Sequence, residues 1–144
     1  MNKYDEAMQI LAKRYSHDNL VSVATLCNNR PSVRIVNGYY EDGAFYVVTY
    51  ALSNKMQDIK ACPDVAVCAE WFTAHGLGDN LGYVLNESNA EIMSKLRAVF
   101  AEWYDNGHTN ENDPNTCVLR IRLTDGVLLN HGTRYDIDFV NKTA

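Results

Sequence analysis

The spacing of apolar residues changes repeatedly along this chain, and each change marks an element boundary. Tyr4, Met8, Leu11 and Tyr15 recur at helical spacing and predict a short amphipathic helix ending near Ser16. In NLVSVATLC, residues 19–27, Val21, Val23, Thr25 and Cys27 alternate with Leu20, Ser22, Ala24 and Leu26, the period of a strand. NNRP is a turn signal, SVRIVNGYY reads as a second strand, and EDG closes a hairpin into AFYVVTY. The stretch VVTYALSNKMQDI then passes from strand to helix, with Ser53 standing where an N-cap belongs. That helix is brief, because Pro63 stops it and biases Cys62 out of helical geometry.

DVAVCAEWF predicts a fourth strand, and the two glycines of TAHGLGDN predict a bend or bulge before LGYVL resumes as strand. SNAE, Ser88 to Glu91, has the pattern of a capping box. Ile92, Leu96, Val99, Phe100 and Trp103 follow as one apolar stripe, predicting a long helix that Asn106-Gly107 ends. HTNENDPNT is polar and aperiodic, hence loop, and CVLRIRLTDGVLLN and TRYDIDFV alternate as two closing strands. The strands, about seven in all, follow in hairpin order with too few crossover helices for a parallel sheet. A mainly β fold is expected over residues 1–144 as a single domain: an antiparallel barrel with one long and two short helices packed outside.

Composition narrows the function. The chain has 144 residues, enough for a real core, and its 13 Lys and Arg against 18 Asp and Glu argue against a nucleic-acid partner. MNKYDEAMQI has no apolar signal-peptide core, and no apolar run is long enough to span a membrane, so the expected location is cytoplasmic. The four cysteines form no Cys-x-x-Cys pair and have no zinc-like spacing with His17, His75, His108 or His131. Cys27, Cys68 and Cys117 lie in or beside strands, where a thiol acts as a small apolar group, so no metal site is expected.

Lys55 is the first residue that asks for chemistry. It falls in the first turn of the short helix, where the dipole favours Asp or Glu over Lys. Arg34 is the second: in SVRIV, Val33 and Ile35 point one way and Ser32, Arg34 and Val36 the other. The hairpin at Asp42-Gly43 pairs this strand with the one running into Ser53, which would set Arg34 on the sheet surface near the helix N-terminus. A guanidinium, an ammonium, a hydroxyl and free helix amides converging there suit a phosphate monoester. The residues alone say "anion" and go no further.

The order of these features resembles the FMN-binding split-barrel family of pyridoxamine 5'-phosphate oxidase-like proteins. An Arg on the second strand is followed by a hairpin, a strand ending YVVTY, and SNK opening a short helix that stops at proline. AEWFTAHGLGDNLGYVL, a long helix and RYDIDFVN continue the likeness to small family members, including the nitroimidazole-reductase-like group, over nearly the whole chain. The resemblance implies an antiparallel split β-barrel of Greek-key type and a homodimer with FMN in a groove between subunits. It implies that Arg34, Ser53 and Lys55 hold the phosphate, that Val48 and Thr49 run beside the flavin, and that Val36 and Asn37 line the ring through backbone groups. Asn54 stands where the oxidase usually has Arg, a clamp with one charge fewer. Gly38 and Tyr39 replace an expected lysine region, and the chain ends at DFVNKTA without the oxidase's substrate-gripping Trp and Arg residues. Pyridoxamine oxidation is therefore not the expected reaction.

Flavin carries the hard chemistry in such proteins while the chain orients it. No glycine-flanked serine elbow or Ser–His–Asp setting is present, so no catalytic residue is assigned. His75 is a candidate proton donor, though a loop hydrogen bond is its commoner role; Trp71 and Trp103 are candidate core, interface or flavin-flanking aromatics. The expected function is an oxidoreductase passing electrons through FMN to a small-molecule acceptor. The alternatives are a non-catalytic flavin-binding or stress-sensing module, and the same groove holding haem or a deazaflavin.

Overall fold

Closure of a six-stranded antiparallel sheet on itself sets the architecture. The structure is a computed structural model describing residues 1–144. Helix α1 (Lys3–Tyr15) leads into β1 (Asn19–Cys27), β2 (Arg30–Glu41) and β3 (Ala44–Tyr50). Helix α2 (Asn54–Ala61), β4 (Asp64–Ala69) and β5 (Phe72–Tyr83) follow, then α3 (Ala90–Val99), β6 (Thr116–Asn130) and β7 (Thr133–Asp138). The strand order is β3-β2-β1-β4-β5-β6-β7, and β3 also pairs with β6 from Ala44↔Arg122 to Tyr50↔Thr116, which closes the barrel and leaves β7 as an extra strand. Barrel closure satisfies the backbone groups that an open sheet would leave at its edges.

Alternation decides what fills the barrel. Val21 and Val23 of β1, Phe45 and Val47 of β3, Val65 and Val67 of β4, and Leu119, Ile121 and Leu123 of β6 all turn inward. Helix α1 adds Ala7, Leu11 and Tyr15 to the same cluster, so one apolar stripe of the helix is buried against the strands. Asn2 caps that helix by accepting from the Asp5 amide, and Ser16 ends it. Outside the barrel, Met93, Leu96, Phe100 and Tyr104 pack on Val84 and Val118 as a second, smaller cluster.

Two expectations are corrected here. The Ser88–Glu91 capping box does not form: residues 87–89 make a 3-10 turn, and Asn89 rather than Ser88 stands at the N-cap, without a side-chain cap bond. Asn89 is buried instead, its Nδ2 donating to the carbonyls of Leu81 (3.0 Å) and Tyr83 (2.9 Å). That tie to the end of β5 outweighs a local cap. The helix is also shorter than its apolar stripe, ending at Val99 with Phe100 as its C-cap. The stripe continues through turns, because Trp103 Nε1 donates to Asp18 Oδ2 (2.9 Å) and the Tyr104 hydroxyl to Glu111 Oε2 (2.5 Å). The longest helix is thus α1.

The bulge expected in TAHGLGDN is present as register shifts at His75/Gly76 and between Asn80 and Tyr83. Gly76 is required by close approach: a Cβ there would lie 2.8 Å from the Arg122 carbonyl oxygen and 2.9 Å from Ile121 Cγ2. Backbone is a neighbour that cannot step aside. Gly76→Ala is expected to lower stability by about 1–3 kcal/mol, read as a lower urea midpoint with an unchanged slope.

Candidate functional site

The strand-to-helix switch at Tyr50–Asn54 builds a polar corner at one end of the barrel. Ser53 takes extended geometry and its Oγ accepts from the Met56 amide at 3.3 Å, as an N-cap should. No acidic residue lies in the first turn of α2. Lys55 lies there instead, only 7% exposed, with Nζ donating to Thr49 Oγ1 at 2.5 Å and Ser53 Oγ at 3.4 Å. No carboxylate pairs with it. Burial pulls the Lys55 ammonium below its ordinary value, the Arg34 charge lowers it further, and Cys117 opposes both. A charge held this way, beside the positive end of a helix, lacks an anion.

Arg34 reaches the same corner by an unexpected side. The sheet surface was its expected place, but the face it shares with Val36, Gly38 and Tyr40 is the inward one, and Val33 and Ile35 turn outward. Its Nη1 donates to Thr25 Oγ1 at 2.7 Å and to the carbonyls of Val23 and Ser32 at 3.3 Å. Its Nη2 stands 3.9 Å from Asp58 Oδ2, beyond hydrogen-bond reach, so Nη2 and Nε keep their donors free. Thr25 donates to Asp58 Oδ2 at 2.7 Å and completes a Thr25–Arg34–Asp58 set.

Thr25 and Asp58 went unrecognised in the sequence. Thr25 carried a signal: it is the polar member of the Val21, Val23, Thr25 face, 1% exposed in the fold. Asp58 carried a fainter one, as the residue one helical turn beyond Lys55 on the same side of α2. Asp58 offsets part of the charge of Arg34. The corner therefore holds two cations and one acid, with Lys55 the uncompensated member.

The other candidates divide between two faces. Thr49 turns toward Lys55, while Val48 packs against the outer cluster under α3. Both border a groove of about 340 Å³ shared with His108 and Asn110. Val36 packs on the main core, whereas Asn37 faces away and donates from Nδ2 to Asp18 Oδ1 at 2.9 Å. Asn54 is exposed at the start of α2. His75 is no loop residue: it lies in β5 opposite Asp125 of β6, with Nδ1 2.8 Å from Asp125 Oδ1 on the open outer sheet face. Trp103 is a packing residue, stacked 5.0 Å from Phe100. Trp71 sits 64% exposed at the β4–β5 turn with φ of 61°.

Set beside known proteins, this geometry has clear relatives. No family model matches the chain. General stress protein 26 of Bacillus subtilis (strain 168) is 25% identical over 139 residues, covering 93% of this chain and 95% of that one. The crystal structure of general stress protein 26 from Bacillus anthracis str. Sterne superposes with a TM-score of 0.71 at 16% identity, covering 92% and 99% of the two chains. A Clostridium acetobutylicum protein described as related to general stress protein 26, of the pyridoxinephosphate oxidase family, gives 0.61 at 14% identity and 96% coverage of both. The chain is similar in sequence to general stress protein 26 and has the split-barrel fold of these pyridoxamine 5'-phosphate oxidase-like structures. The same fold serves a FAD-binding protein from Mesorhizobium loti (TM-score 0.63, 14% identity, 82% of this chain and 90% of that one). No helix of the chain is long and apolar enough to cross a membrane.

A buried, unpaired lysine leaves a thermodynamic trace. With its folded value depressed, the penalty for charged Lys55 is full at pH below that value and fades as pH rises toward 10.5. Lys55→Met is expected to raise the unfolding midpoint of the ligand-free protein at pH 7. The gain should shrink as pH approaches 10.5, followed by chemical denaturation across pH.

Proposed function

We propose that this protein binds FMN and passes electrons through it to a small-molecule acceptor, with the flavin phosphate held at the Arg34, Ser53 and Lys55 corner. One observation carries the reading: Lys55 is 93% buried, without a carboxylate, at a helix N-terminus. A phosphate dianion there would offset the Lys55 ammonium, accept from the free donors of Arg34 and take the unpaired amides opening α2. Asn54, uncharged and exposed at the rim, adds an amide in place of a further cation. Val48 and Thr49 bound the neighbouring groove, and Val36 and Asn37 offer backbone groups along β2.

Bound flavin supplies hydride or single-electron transfer. The chain's own part is to bind, to orient and to shield. In the corner, Thr49 and Ser53 both accept from the Lys55 ammonium. The FAD-binding neighbour with this fold is in keeping with a flavin. The sequence relative is a general stress protein, which favours a second reading, flavin binding without turnover. Reduction by NADH or NADPH followed by reoxidation with an acceptor separates the two.

The purified protein is expected to be yellow and to release FMN on heating, identified by mass. Arg34→Ala and Lys55→Ala each remove a charge-assisted contact of about 1.5–3 kcal/mol, so FMN affinity should fall at least about tenfold while the fold survives. Wild-type affinity in both variants would remove the phosphate from this corner.

We also propose a homodimer, with a second copy covering the outer face of β1 and β2. Leu20 of β1 and Val33 and Ile35 of β2 are 69%, 70% and 66% exposed there, on two paired strands. Large apolar side chains side by side on a strand pair mark a surface meant to be covered. Light scattering after gel filtration should give twice the chain mass for wild type and the chain mass for the Val33→Glu, Ile35→Glu double variant.

A further inference from the structure

A second groove lies at the β2–β3 hairpin end of the barrel, away from the flavin corner. Cys117 faces inward near Lys55, whereas Arg120 and Arg122, further along β6, face outward between β3 and the chain's last turn. The groove has a volume of about 630 Å³, within the range that holds small molecules. Tyr4 and Met8 of α1, Tyr46 of β3 and Phe139 form its apolar wall, with Arg120 and Arg122 side by side along its floor.

The charges on this floor do not balance. Asp79 is the one carboxylate within reach of both arginines, its Oδ2 accepting from Arg122 Nε at 2.6 Å and from Arg120 Nη2 at 3.3 Å. Neither Nη of Arg122 makes a hydrogen bond, and Arg120 Nε is buried with no partner at all. It is the only buried side-chain nitrogen or oxygen in the protein left so. Lys142 adds a third cation to the lining, and Asp42 is the acid among the lining residues. In a chain of net charge −5, a pocket with cations in excess is a local exception. Two forked guanidiniums against one acid and beside tyrosine rings make an anion receptor with an apolar wall.

We propose that this groove is a second ligand site, taking a small carboxylate or phosphate carried on an aromatic or aliphatic body. The anion is held by Arg120 and Arg122, and the body lies on Tyr46, Met8 and Phe139. The site is independent of the flavin corner, with which it shares no residue.

Titration of the ¹⁵N-labelled full chain with salicylate, and separately with inorganic phosphate, tests this by two-dimensional NMR. Salicylate is expected to give saturable shifts at the amides of Gly43, Ala44, Tyr46 and Arg120. Arg122 is 52% exposed, so Arg122→Gln should keep the fold, and it should weaken salicylate about tenfold through loss of a charge-assisted contact. Arg34→Gln should leave salicylate binding unchanged. Phosphate shifting the same amides would support an anion head that suffices by itself; a response to salicylate alone would support one that needs its apolar body. Shifts centred on Ser53–Lys55, or none that saturate, would overturn the site. So would salicylate affinity unaltered in Arg122→Gln.

Discussion

The pairing of β3 with β6 is the interaction on which the rest of the molecule depends. It joins strands from opposite ends of the sheet order and turns six strands into a closed surface. Because Thr49 pairs with Cys117 in that ladder, closure also brings the end of β3 to the place where Lys55 enters the barrel. A slip of one residue would send Phe45, Val47 and Thr49 outward and Tyr46 and Val48 inward. Core and corner would be lost together. The glycines at 76 and 126 belong to this constraint, since any side chain there would press on backbone of the neighbouring strand.

Charge and burial work against each other at one defined point. Lys55 occupies a turn that favours an acid and a burial that favours no charge. Arg34, by contrast, is well provided with partners through Thr25, Asp58 and two backbone carbonyls. The corner thus combines one cation fixed by its neighbours with one left in want of a ligand. For the phosphate proposed above, the first would orient the anion and the second would supply the larger gain on binding.

Much of the barrel was legible because alternation is a strong signal. NLVSVATLC and AFYVVTY run to the observed bounds of β1 and β3, and Ser53 caps α2 where its position said it would. Legibility failed where a distant partner outbid a local one. Asn89 turned from the helix to the carbonyls of Leu81 and Tyr83, and Trp103 to Asp18, neither visible within one window of sequence. Arg34 shows the same limit: polarity placed it outside, and Thr25 and Asp58, brought in by β1 and α2, hold it inside. His75, just ahead of two glycines, read as part of a bend until β6 supplied Asp125 across the sheet.

Strand β7 pairs only with β6 and so leaves an outer edge, which the chain guards. Its outward residues are Arg134, Asp136 and Asp138, two of them joined in an exposed ion pair. Lys3 of α1 donates to the Arg134 carbonyl, and Asp138 exchanges backbone bonds with Thr143, so the tail folds back over the strand's end. Short length, charge and borrowed hydrogen bonds are the means by which natural sheets refuse a foreign strand. An added strand at this edge would first have to displace the chain's own tail from the end of β7.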